Sequence, residues 1–364
     1  MIPVLHLRQG TGLYGADRAV LALAAATPAP FAPIVGAIQR PGATDALGEE
    51  TRRRGLRAAR FESAVRFDLA CARAVARAAR AEGVQLLHAH DFKSLFIAVV
   101  AGAMARVPAV ATYHGDTAST WQVRGYEAFS RALGNLTRGV AGVSRSLEEQ
   151  LKRWVRLAPV AFVPNGLPLP APVSAEERSR ARERFGVREF CVAVVGRLSP
   201  EKGHRILFQA ARGMPATLLI AGDGPLRAEL EQSARGAADA RFLGYLEDAR
   251  DVFAAADVIA LPSSTEGLPL AALEALALGR CLVASAVGGL PELLSGGAGV
   301  LVPPGDAPAL TRALEQLRSP EQRAPYLERG LRRARDYDVA AMASSYAALY
   351  SRALSLEAMP SSSR

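Results

Sequence analysis

Two glutamates with seven residues between them, Glu266 and Glu274, carry the most specific chemical signal in this chain. They follow an apolar run, DVIALP, and enclose Gly267-Leu268-Pro269. Proline is favoured in the first turn of a helix, so Pro269 or Leu270 marks the helix start. Glu274 is then about five residues inside, roughly 7.5 Å down the axis. A helix N-terminus and the backbone N–H groups of Gly267 and Leu268 suit a phosphate. One carboxylate on each side of that phosphate can grip hydroxyls on its two flanks, the outline of a sugar nucleotide. An isolated E-x7-E means nothing; its place after a strand, with Gly-Leu-Pro inside it, is what makes it informative.

Upstream, Gly196-Arg197-Leu198-Ser199-Pro200-Glu201-Lys202-Gly203 follows another apolar run, CVAVVG. It aims two cations at the carboxyl edge of a parallel sheet, where ligands bind in such folds. A forked guanidinium on Arg197 and a point charge on Lys202 are what a diphosphate needs. Gly222-Asp223-Gly224-Pro225 reads as a turn and cap, with Asp223 structural. Near the N-terminus, Gly10-Thr11-Gly12-Leu13-Tyr14-Gly15 matches GxGxxG between a strand and a helix. Gly12 and Gly15 would let backbone N–H groups approach an anion, so a dinucleotide reading is legitimate. The second strand, however, ends in Gln39-Arg40 and not in an acid for a ribose, which would point to a 2′-phosphate. No arrangement for hydride transfer accompanies it. His88, His90 and Asp91 form an HxHD run, but no third partner is evident, and no DxD-like pair ends a strand. No metal site is therefore expected.

The elements that must carry these residues alternate. Strands are read at 2–8, 33–39, 84–90, 109–114 and 139–144, with helices at 16–26, 43–54, 69–82, 94–105 and 147–155 between or after them. After Pro164-Asn165-Gly166 and the proline-rich 167–174, a helix at 175–185 restarts the rhythm. Strands follow at 191–196, 216–222, 240–244, 257–262 and 281–285. Such βα alternation predicts parallel sheets wrapped by helices, hence an α/β chain of two doubly wound, Rossmann-like domains. The expected division is 1–166, a linker at 167–174, 175–338, a C-terminal helix at 339–354 packing back across the joint, and a disordered tail at 355–364.

Composition agrees. The chain has 364 residues, half of them hydrophobic, which is natural for two domains and excludes a disordered chain. The apolar run Ser94–Ala105 is 12 residues long, against roughly 20 for a membrane-spanning helix. No secretory signal is read at the start, and three distant cysteines (Cys71, Cys191, Cys281) suggest a reducing cytoplasm. The formal net charge of +9 resides in residues 1–172, with 21 basic against 12 acidic side chains. That half is expected to meet an anionic substrate or membrane face, with Arg52, Arg53, Arg54, Arg57 and Arg60 as the densest patch. No aromatic-interleaved basic motif points to nucleic acid.

These motifs resemble those of the retaining glycosyltransferases of family 4, which have the GT-B fold, two Rossmann-like domains facing across a cleft. The resemblance is strongest from Gly196 to Asp306, through GRLSPEKG, AGDGP, FLGYLED, PSSTEGLPLAALEALALG, VGGLPELL and GVLVPPGD. In the first half it rests on the glycine loop, LLHAHD, TYHG, GVSRSL and VPNG. It implies transfer of a hexose from a nucleoside-diphosphate sugar to an acceptor hydroxyl with retention, without metal or resident cofactor. Arg197 and Lys202 would bind the donor diphosphate, Glu266 the donor sugar and Glu274 the ribose. Leu243 and its neighbours would approach the base, and Gly12 the phosphates. His114 would lie near the reacting sugar. The family's first-domain loop often reads Gly-Gly; here Thr11-Gly12 stands instead. The expected acceptor is a glycan or is lipid-linked; the basic first half is what suggests the lipid-linked or anionic kind, with the cytoplasmic chain loosely attached to the inner membrane face. Three other readings of the residues compete: a sugar-nucleotide epimerase on the same fold, a degenerate nucleotide-binding subunit, and an NADP-dependent oxidoreductase.

Overall fold

A computed structural model describes residues 1–10, 12–115, 129–130 and 132–355. Thr11 of the glycine loop and all of the expected disordered tail except Ser355 lie outside the described residues. The chain divides into two compact units, Met1–Pro168 with Val339–Arg364, and Leu169–Asp338.

Among the described residues the first unit holds seven parallel strands: β1 (Ile2–Gln9), β2 (Phe31–Gln39), β3 (Arg57–Glu62), β4 (Leu86–Ala89), β5 (Ala109–Tyr113), β6 (Val140–Gly142) and β7 (Val160–Phe162). Their order is β3-β2-β1-β4-β5-β6-β7. Both faces are covered, so successive strand residues are apolar and point to opposite sides. Leu5, Leu87 and Ala111 pack with the helices Leu69–Ala81 and Phe92–Ala105. Their neighbours Val4, Leu86 and Val110 face the opposite layer, where they meet Met342, Tyr346, Leu349 and Tyr350 of the last helix, Val339–Ala353. That helix therefore belongs to the first unit although it follows the second in sequence. Asp91 caps the helix Phe92–Ala105 by accepting the Ser94 N–H at 2.9 Å, which fixes where β4 ends and the helix begins.

The second unit holds six parallel strands: β8 (Phe190–Val195), β9 (Ala216–Ala221), β10 (Asp239–Gly244), β11 (Val258–Leu261), β12 (Cys281–Ser285) and β13 (Val300–Val302). Their order is β10-β9-β8-β11-β12-β13. The order reverses direction between β8 and β11, so the loops after those two strands emerge side by side. Those are the loops carrying GRLSPEKG and PSSTEG, at the switch point where open α/β sheets bind ligands. In the first unit the corresponding strands are β1 and β4, which lead into the glycine loop and into His90-Asp91.

Three strands escape the sequence reading. β3 is an edge strand with Arg57, Arg60 and Glu62 in six residues, so it lacks an apolar run. β7 and β13 are three residues each, too short for any periodicity. The arginine patch also reads differently in three dimensions. Arg52 pairs with Asp45, Arg53 and Arg54 with Glu50, Arg57 with Glu82, and Arg60 with Glu62. In the cluster expected to face an anionic surface, each of the five arginines thus pairs with an acid of the same unit, Glu50 serving two of them.

Asp257, at the amino end of β11, is buried and holds Arg178 (2.8 Å), Arg182 (3.1 Å) and Arg323 (3.0 Å) while accepting the Cys191 N–H (2.9 Å). It ties two helices and β8 to the strand that ends in the Glu266 loop. Removing one member of a buried ionic cluster leaves the others uncompensated. Asp257→Ala is expected to cost about 3 kcal/mol of stability, read from urea unfolding. A loss below about 0.5 kcal/mol would show that solvent, and not Asp257, compensates the arginines.

Candidate functional site

At the carboxyl edge of the second sheet the loops are knit together by their backbones. Ser264 donates its N–H to the Glu201 carbonyl at 2.8 Å, and Gly289 donates to Gly267 at 2.6 Å. Leu198 donates to the Asp223 carbonyl (3.0 Å) and accepts from Leu226 (3.1 Å). The contacts are too close for side chains at several points, two of which bear on the Lys202 and Glu266 loops. A Cβ on Gly203, at φ +67°, would lie 2.0 Å from the Pro262 carbonyl oxygen. A Cβ on Gly288, at φ +57°, would lie 1.9 Å from that of Glu266. Only glycine adopts this left-handed backbone without strain, and only glycine leaves that room.

This interlock sets Lys202 against Glu266. Lys202 Nζ donates to Glu266 Oε1 at 2.7 Å, and Ser263 Oγ donates to the same oxygen at 2.7 Å. The Glu266 side chain is 7% exposed and that of Lys202 24%, so the pair is largely shielded. Two residues predicted for different parts of the donor are thus neighbours in the same loop pair. Arg197 is exposed just after β8. Gly267 and Leu268 are buried immediately before the helix Leu270–Ala277, whose N-cap is Pro269. Glu274 lies partly buried within that helix, as its spacing from Glu266 predicts. Leu243 is the residue at which β10 slips register against β9, between Phe242 and Gly244. Asp223 accepts the N–H of Gly224, a turn role.

Gly12, Gly15 and His114 are in the first unit. Gly12 is partly buried in the loop before the helix Gly15–Ala26, which Gly15 opens. Asp17 is fully buried, accepts the Tyr14 N–H at 3.0 Å and pairs with Arg8 at 3.0 Å. Burial raises its carboxyl above the ordinary value, and Arg8 opposes that rise. Asp91 joins the same group by accepting the Gln9 N–H at 2.7 Å. Gln39, the residue that would have faced a ribose, is buried and donates to Asp45 at 2.7 Å. The end of β2 is therefore engaged inside the unit.

What sequence reasoning missed is a histidine cluster. His6 on β1 lies in register with His88 on β4, and His90 and His114 follow β4 and β5. The third partner that the HxHD run lacked is His6, and the three buried rings lie close enough to be considered as metal ligands. Both nitrogens of His88 are already engaged, Nδ1 with Tyr350 Oη at 2.7 Å and Nε2 with Thr112 Oγ1 at 2.8 Å. A hydrogen-bonded network, and not an open ligand set, is what these distances describe. The available signal was three histidines near equal depth on strands read as parallel neighbours. Burial pulls the His6 and His114 pKa values down to about 3, and Arg8 adds to the effect at His114. His88 and His90 are also held well below the ordinary range, chiefly by burial. All four rings are neutral near pH 7. Burial pushes the thiols of Cys71, Cys191 and Cys281 up, to about 11, 12 and 12, so all three free cysteines are inert.

Two Rossmann-like sheets, each with a topological switch point, define a two-domain α/β class. Residues 15–169 match the family model described as Glycosyltransferase Family 4, and residues 189–319 that described as Glycosyl transferases group 1. The chain belongs to the family 4 glycosyltransferases, and its fold is GT-B. TuaC of Bacillus subtilis, named as a teichuronic acid biosynthesis glycosyltransferase, is 31% identical over 65% of this chain and 63% of its own length. The alpha-D-kanosaminyltransferase of Streptomyces kanamyceticus is 35% identical over 38% of this chain and 39% of its own. The chain thus spans less than two thirds of the length of these relatives. HepE of Anabaena in complex with UDP-glucose superposes with a TM-score of 0.86 at 23% identity, covering 96% of this chain and all of that one. Sucrose-phosphate synthase of Thermosynechococcus elongatus gives 0.77 at 23% identity, covering 98% and 100%. These likenesses establish the fold. Among the described residues no helix is long and apolar enough to cross a membrane.

Two outcomes follow from this geometry. Gly288→Ala should lower the thermal midpoint well beyond Gly305→Ala, since Gly305 shares the positive φ (+78°) but has nothing within 4 Å of its would-be Cβ. Equal losses would mean that backbone conformation alone, and not the Glu266 contact, demands glycine. The histidines give a pH dependence. From the ordinary value of 6.5 down to about 3, the unfolded chain takes up protons that His6 and His114 refuse when folded. Stability is full above that window and falls as pH drops through it. Urea midpoints at about pH 7.5 and about pH 5 should differ in that direction; equal midpoints would contradict the neutral, buried cluster.

Proposed function

We propose that the protein is a glycosyltransferase that moves a hexose from a nucleoside-diphosphate sugar to an acceptor hydroxyl. The observation that carries this reading is the shielded Lys202–Glu266 pair at the mouth of β8 and β11. An ammonium has three donors. Glu266 takes one, and two remain for a diphosphate oxygen beside the guanidinium of Arg197. Among the described residues, both hydrogen bonds to the Glu266 carboxylate fall on Oε1, leaving Oε2 to accept from a donor-sugar hydroxyl. Gly267, Leu268 and the helix N-terminus at Pro269 complete the anion site, Glu274 holds the ribose, and Leu243 lies toward the base. Charge grows on the leaving phosphate as the glycosidic bond breaks. Preorganised cations stabilise that charge without reorganisation at the moment of reaction.

In this reading the leaving phosphate takes the acceptor's proton on the same face, so configuration is retained and no protein base, metal or resident cofactor is required. Of the first unit's candidates, Gly12 and Gly15 offer backbone N–H groups to an anion, and His114 offers a ring nitrogen to a substrate hydroxyl. The acceptor is a glycan or lipid-linked glycan. The names of two relatives support that class: TuaC, and a monoacylated phosphatidylinositol monomannoside mannosyltransferase of Corynebacterium glutamicum that is 29% identical over 59% of this chain. Contact with an anionic membrane face through the basic first half belongs to the same reading.

A thermal-shift panel of UDP, GDP and ADP and their sugars tests the donor site; no stabilisation by any of them would remove the assignment. Arg197→Ala should cut turnover at saturating donor by at least about tenfold, because its charge is needed most in the transition state. Turnover near the parent value would take Arg197 out of that role. Donor conversion without added acceptor would favour the epimerase.

A further inference from the structure

His6, His90 and His114 form an unbranched chain of hydrogen bonds. His6 Nδ1 lies 3.1 Å from His90 Nε2, and His90 Nδ1 lies 3.3 Å from His114 Nε2. The two ends of the chain, His6 Nε2 and His114 Nδ1, are buried atoms without a hydrogen-bond partner among the described residues. Each ring is neutral, so each has one donor nitrogen and one acceptor nitrogen. The three tautomers are therefore locked together, and only two arrangements exist. In one, every ring carries its proton on Nδ1; the bare N–H is then at His114 and the bare lone pair at His6. In the other, every proton is on Nε2 and the bare N–H is at His6.

The surroundings of the two ends decide between them. His6 is completely buried in the middle of β1. His114 is partly buried and stands just past the carboxyl end of β5, the edge at which such sheets receive ligands. An orphaned buried N–H is costlier and rarer than an orphaned acceptor, so the lone pair belongs inside and the N–H at the edge. The geometry points to a tautomer relay in which His6 and His90 hold His114 in its Nδ1–H form, presenting a hydrogen-bond donor to a hydroxyl oxygen of the substrate. His6 and His90 are positioning residues; His114 alone touches the ligand. The inference rests on the function proposed above for the role of that hydroxyl, but the tautomer stands independently of it. His88, in the same pocket, supplies the contrast. Both of its nitrogens face hydroxyls, Nδ1 that of Tyr350 and Nε2 that of Thr112, so no ring of the relay sets its tautomer.

Long-range proton–nitrogen correlation spectra of the ¹⁵N-histidine-labelled full chain, without ligand at neutral pH, read each tautomer directly. The expected result is Nδ1–H for His6, His90 and His114. Protonation of His114 on Nε2 overturns the relay, and this holds even if no sugar donor is turned over, which would separately remove the proposed function. Two variants give a second readout. The amide of His90→Asn falls where Nδ1 was and can still donate to His114, so kcat/KM should stay within about threefold of the parent; His90→Leu cannot donate, and should lower it by about tenfold or more. Equal losses in the two would reduce His90 to a packing residue and overturn the proposal. Should either variant fail to fold, the spectrum of the parent chain still decides.

Discussion

Backbone packed against backbone at the carboxyl edge of the second sheet is the constraint on which the candidate site depends. Gly203 lies against the Pro262 carbonyl and Gly288 against that of Glu266, so the loops after β8, β11 and β12 have no freedom to part. Hydrogen bonds from Ser264 to Glu201 and from Gly289 to Gly267 hold the same contacts. Side chains on those loops inherit this rigidity. Lys202 and Glu266 meet 64 residues apart in sequence because their main chains are fixed, and not because their charges draw two mobile loops together. A partly shielded ion pair alone would be a weak organiser, since desolvation offsets much of its attraction.

The first unit uses another device. Its central strands bury neutral histidines, and the last helix closes over them with Tyr346 and Tyr350. Burial is what keeps these rings uncharged, and hydrogen bonding is what makes their burial tolerable. A charged cluster at the same place would repel itself and the nearby Arg8. The outcome is a polar network with directional preferences at a strand end that also carries the Arg8, Asp17 and Asp91 group. Polar networks of this kind are informative when nearly every atom is satisfied, because the few exceptions mark where a partner is missing.

Much of this was legible beforehand because it depends on local signals. Strand and helix alternation, the glycine turns, the helix start at Leu270 after Pro269 and the place of Glu274 within that helix all follow from periodicity and turn chemistry. The unread strands β3, β7 and β13 are charged or three residues long, and they exist because a neighbouring strand offers them hydrogen bonds. The arginine patch looked cationic because its partners Asp45, Glu50, Glu62 and Glu82 are spread over 38 residues on different elements.

The sequence by itself determined the class of each half, the sites of the loops and the residue types available for chemistry, since these rest on interactions between near neighbours along the chain. Tertiary structure alone decided which of those residues meet: Lys202 with Glu266, His6 with His90, and the C-terminal helix with the first sheet. Strand order, register and burial set those meetings, and each is a property of elements far apart in sequence whose packing no local pattern encodes.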